Sequence, residues 1–125
     1  MRGNERPVYI SLTDFRWPVT AIASIVHRMT GMLLFLGIGY LLWLLSLALS
    51  SESGFDQTTQ TLAAPFAKLV LWGVLVNLIY HILAGVKHMF LDFHIGDSFE
   101  AASMSAYVVF GLTMVVAAVA GVWIW

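Results

Sequence analysis

Three residues at the start of the first long apolar run have types and spacing suited to chemistry. Ser24, His27 and Arg28 lie in the stretch ASIVHRMTG, at intervals that bring them to one side of a helix. A hydroxyl, an imidazole and a fixed cation grouped in this way can bind an anion or a polar carbonyl compound. A plainer reading is also open: Arg28 reaches out to lipid phosphates, and Ser24 bonds back to its own helix. Spacing alone does not choose between the two.

A second set, Asn77, His81 and Gly85, recurs every four residues in another apolar run, and His88, seven beyond His81, nearly joins it. His81 stands about seven residues, or roughly 10 Å, inside the end of that run. An imidazole at such depth needs a hydrogen bond, a proton pathway or iron. Haem iron is commonly held by histidine, and Gly85 one turn away leaves room for a flat macrocycle against the helix. His81 and His88 share a face two turns apart, so they cannot grip one iron from opposite sides. If His81 is axial, the sixth ligand comes from another helix, most simply on another chain. His27 is the rival within this chain, and its position places it nearer the membrane surface.

The elements that carry these residues are set by hydropathy. The chain has 125 residues, 60% of them hydrophobic and 10% charged, with a mean hydropathy of +0.87. A soluble domain of this size cannot bury so much apolar surface. Three runs exceed the roughly 20 apolar residues that span a bilayer: about 21–49, 65–91 and 103–125. The reading is an all-α integral membrane protein, a single anchor domain over 1–125 with three transmembrane helices and a polar N-terminal segment, 1–20. A polar loop with Gly54 and two acids separates the first two spans, and Pro65 suits the first turn of the second. Three helices make a thin bundle, and a charge at the bilayer centre costs at least ~2.5–3.5 kcal/mol. Part of a larger hetero-oligomeric bundle is therefore expected, with glycines such as Gly31 and Gly85 permitting close helix approach.

Charge sets direction and excludes partners. Arg2, Arg6, Arg16, Arg28 and Lys87 lie towards one side and Lys68 towards the other, which predicts a cytoplasmic N-terminus and a periplasmic C-terminus. The first twenty residues lack the apolar core and cleavage site of a secretory signal. A formal net charge of −1 offers no electrostatic footing for nucleic acid. Absence of cysteine excludes disulfides, thiolate-held clusters and Cys-ligated zinc within the chain.

Two spaced patterns resemble one family. Arg6-Pro7 is followed by Ser24-x-x-His27-Arg28-x-Thr30, and later comes His81-x-x-x-Gly85-Val86-Lys87-His88, running to Asp92. Together, in a chain with three spans, they resemble the cytochrome b membrane-anchor subunit of succinate dehydrogenase (respiratory complex II), proteobacterial type. The resemblance implies a subunit that holds haem b jointly with a second anchor subunit, and that anchors an iron–sulfur subunit and, through it, a flavoprotein. It implies His81 as the haem axial ligand, Ser24 and Arg28 as ubiquinone-binding residues, and His27, Arg28, Lys87 and His88 as candidate contacts to haem propionates. It also implies a bacterial inner membrane as location, and no dehydrogenase chemistry in this chain by itself. The chain departs from the family at Lys87, usually arginine, which keeps the charge but loses the bidentate fork, and at His94, where a small residue is common. A fumarate reductase anchor, running the same path in reverse, is the nearest alternative. A haem-free structural anchor is the next; a proton-coupled transporter using His81 lacks the broken helices and carboxylates of such sites.

Overall fold

The computed structural model describes residues 17–125, so Arg2, Arg6, Arg16 and the Arg6-Pro7 pattern lie outside the described residues. Four helices lie among the described residues: α1 (Val19–Ser50), α2 (Glu52–Ala63), α3 (Pro65–Asp92) and α4 (Phe99–Ile124). Those of α1, α3 and α4 are long and apolar enough to cross a membrane. With 32 residues α1 is about 48 Å long, more than a ~30 Å hydrocarbon core requires, and tilting takes up such an excess.

α3 is the central member, packed against α1 on one side and α4 on the other. Two side chains tie the three together through main-chain carbonyls. The Tyr80 hydroxyl donates to the Ala23 carbonyl of α1 at 2.9 Å, and the Trp72 indole N–H donates to the Ala117 carbonyl of α4 at 2.8 Å. In a lipid environment such interhelical bonds contribute about 0.6–2 kcal/mol each. Around Tyr80 the packed core is small, completed by Ala84 and Val109 with Val26, Leu83 and Phe110 beside them. Most large apolar side chains point outward instead; Phe35 is 79% exposed and Met114 72%. Lipid and other subunits are the natural cover for such surface.

The polar stretch after α1 is a helix rather than the expected loop. Ser51 caps it by accepting from the Gly54 N–H at 3.0 Å, with Glu52 in the first turn. Gly54 ends no helix: a Cβ there would run into the Leu47 carbonyl and the Ser50 hydroxyl, so its role is close approach of α2 to the end of α1. Ala64 and Pro65 then turn the chain into α3, with proline in the first turn. At the other connection His94 (φ 58°) and Gly96 (φ 71°) take left-handed backbone conformations. Ser98 accepts from the Ala101 N–H at 3.2 Å and starts α4 at Phe99, four residues before the apolar run expected from position 103.

Candidate functional site

α1 and α3 run antiparallel, so the beginning of one lies beside the end of the other. His27 is eight residues inside α1 and His81 eleven residues inside the far end of α3, about 12 and 16 Å along the respective axes. The two therefore meet at one level, which corrects the expectation that His27 lies apart from His81 near the surface. Their rings stack at 4.1 Å between centroids with planes 16° apart, and His88 stands 5.2 Å from His27.

The hydrogen bonds around His81 determine where its proton sits. Thr30 Oγ1 donates to the His27 carbonyl at 2.8 Å, which commits the threonine proton. His81 Nδ1 lies 3.2 Å from that same carbonyl and 3.1 Å from Thr30 Oγ1. A carbonyl only accepts, and a hydroxyl whose proton is committed accepts as well, so Nδ1 is the donor to both. The remaining nitrogen, Nε2, then carries an in-plane lone pair, the state in which a histidine binds a metal. Thr30 and the His27 carbonyl are the partners that the sequence reading did not assign. Thr30 stands inside the quoted pattern, but nothing in its spacing shows that it reaches across to α3.

Beside these rings the two helices leave a groove lined by His27, His81, Ile82, Gly85, Val86 and Met89. A Cβ on Gly31 would sit 3.2 Å from His81 Cε1, and one on Gly85 would sit 3.4 Å from His27 Nε2. Gly31 thus makes room for His81, whereas a Cβ on Gly85 would come only to van der Waals contact with His27. His27 Nε2 is buried with no hydrogen-bond partner among the described residues, so a polar group remains to be satisfied in the groove. Donor set, open groove and orphaned nitrogen fit an iron porphyrin with carboxylate arms. Because ring lone pairs lie in the ring plane, two stacked imidazoles cannot direct theirs at one iron. His27 in this arrangement is thus no second axial ligand to an iron held by His81.

The other candidates fall outside the groove. Ser24 and Arg28 share a side of α1 flanking His27; Ser24 is half-buried and Arg28 exposed. Neither makes a hydrogen bond or ion pair among the described residues, so the serine does not bond back to its own helix. His88 has Lys87, Asp92 and Arg28 as its charged neighbours. Lys87 turns the other way, two residues or about 200° around α3 from Gly85, and is buried against α4. It stays beside His88 in the chain but does not line the groove with His27 and His81.

The model of the succinate dehydrogenase/fumarate reductase transmembrane subunit family matches residues 2–120. The chain is 37% identical over 122 residues to the succinate dehydrogenase cytochrome b556 subunit of Coxiella burnetii, covering 97% of this chain and 98% of that one. Against the protein of the same name from Paracoccus denitrificans, identity is 34% over 116 residues, with 93% and 88% covered. Similarity extends to the mitochondrial succinate dehydrogenase cytochrome b560 subunit of Sus scrofa, 29% identical over 114 residues, with 90% and 68% covered.

Proposed function

This chain belongs to the succinate dehydrogenase/fumarate reductase transmembrane subunit family, and from that premise we propose that it is the haem b-binding anchor of a succinate dehydrogenase that delivers electrons to ubiquinone. It is a multi-pass membrane protein with three spans. The observation that carries the reading is that His81 Nδ1 lies against the His27 carbonyl and Thr30 Oγ1, which makes it the donor and leaves Nε2 free. When bound, haem b supplies a one-electron relay. His81 would hold it from this chain, together with a histidine of a second anchor subunit. His27 in the groove and His88 beside it are the donors for its propionates, with Arg28 as the charged neighbour of His88.

The partners proposed are that second anchor, an iron–sulfur subunit and, through it, a flavoprotein. Arg28 and Lys87 at one end, against Lys68 alone at the other, support a cytoplasmic N-terminus in a bacterial inner membrane. Ubiquinone is proposed at that end, beside Ser24 and Arg28, whose uncommitted donors face a head group that becomes more negative as it accepts electrons. Ser24 donates to one carbonyl oxygen, and the Arg28 guanidinium stabilises the charge as it grows.

Two outcomes test this reading. Expressed without its partners, the chain is expected to be degraded or to carry almost no haem, because one imidazole is missing and much apolar surface is uncovered; a stable, haem-loaded single chain would refute it. The complex with Thr30→Val should keep haem but hold it less tightly, roughly tenfold, since the His27 carbonyl still orients His81. Haem loss to an excess of a haem-scavenging protein measures this, and a rate equal to wild type would remove Thr30 from the account.

A further inference from the structure

Lys87 is left without a role by the arrangement around His81. Its side chain is only 6% exposed, and among the described residues it has no hydrogen bond or ion pair. It lines a cleft of about 470 Å³ between α3 and α4, walled by Leu83, Phe90, Ile95, Met104 and Val108, which falls within the range of small-ligand sites, ~300–1,000 Å³. Ser105 also borders the cleft, but its hydroxyl proton is committed to the Ala102 carbonyl at 2.9 Å. An ammonium thus stands in an otherwise apolar cleft with no anion beside it. A cation held at membrane depth needs a partner, and this one lies five residues, about 7.5 Å, from the end of α3, close to headgroup level.

We infer that the α3–α4 cleft is a binding site for an anionic phospholipid, its phosphate paired with Lys87 and an acyl chain lying along the apolar walls. The chemistry matches on both counts. A single cation selects a phosphodiester carrying net negative charge over a zwitterionic headgroup, as basic pockets between transmembrane helices do, and side chains such as Leu83, Phe90 and Met104 offer nothing to a free anion but suit a hydrocarbon tail. The proposal is separate from the haem and quinone assignments, because Lys87 lines the α3–α4 cleft whereas His27 and His81 line a different groove, between α1 and α3.

The test uses the purified complex, exchanged into mixed phosphatidylglycerol and phosphatidylcholine and assayed by native mass spectrometry for retained lipid. Wild type should retain one phosphatidylglycerol with about fivefold preference over phosphatidylcholine, the factor that about 1 kcal/mol for one basic side chain corresponds to. Lys87→Met should abolish the preference, and Lys87→Arg should restore it. Val108→Phe, which fills the cleft from its exposed side and leaves the cation in place, should lower retention of both lipids. Inorganic phosphate at matched concentration should not displace the lipid; displacement would mean a small-anion site and overturn the proposal. Equal preference in wild type and Lys87→Met would also overturn it. Should Lys87→Met fail to assemble, unchanged retention in Val108→Phe decides against the cleft.

Discussion

Arg28→Leu is expected to lower succinate-dependent quinone reduction by one to two orders of magnitude while electron transfer from succinate to a soluble dye continues at its normal rate. The dye draws electrons from the water-soluble subunits and bypasses the membrane site. The size follows from the interaction removed: a hydrogen bond to a charged group contributes about 1.5–3 kcal/mol, and here its strength grows as the quinone gains electrons, so the loss falls on the rate. Ser24→Ala removes a neutral bond of about 0.5–1.5 kcal/mol, and a two- to tenfold loss is expected. Ser24→Ala should keep its full haem content. Arg28→Leu should lose part of it, because the guanidinium is also the charged neighbour of His88. The ratio of quinone rate to dye rate in matched membranes is the measurement. Normal rate and affinity for quinone in both variants would reduce this polar side of α1 to snorkelling and packing.

His81→Ala carries the second large effect. His81 Nε2 is proposed to hold the iron, and no side chain among the described residues stands ready to replace it: His27 is stacked on the missing ring rather than aimed along its plane, and His88 is two turns further along α3. The haem-to-flavin ratio of the purified complex should fall by at least about tenfold, or the remaining haem should change to a high-spin spectrum. His88→Ala removes only a proposed propionate contact and should leave the low-spin bands in place. If His88→Ala empties the complex while His81→Ala does not, the axial ligand has been assigned to the wrong histidine.

The spans were legible because 20 or more apolar residues in a row have few alternatives, and because His81 and Gly85 carry their shared face in their spacing. What stayed hidden depends on how helices meet. α2 forms where Gly54 and two acids suggested a loop, since its cap at Ser51 and the close approach of Gly54 to Leu47 exist only once α1 has ended beside it. The stacking of His27 on His81 depends on where α1 starts relative to where α3 stops, a relation between distant parts of the chain. Thr30 shows the same limit, because its bond to His81 crosses from one helix to the other. Lys87 differs: a shift of two residues from Gly85 already sends it to another side of a helix. Its place among the candidate propionate contacts came from the resemblance, not from a helix face shared with His81.

The most direct test of the central claim changes the ligand while preserving its bulk. In the complex with His81→Met, a redox titration of the haem followed at its α band should give a raised midpoint potential and shifted bands, because a thioether in place of one imidazole favours the reduced iron. His27→Met and His88→Met, by contrast, should keep the bis-imidazole bands. A His81→Met complex with the wild-type midpoint and band positions would show that His81 does not hold the iron.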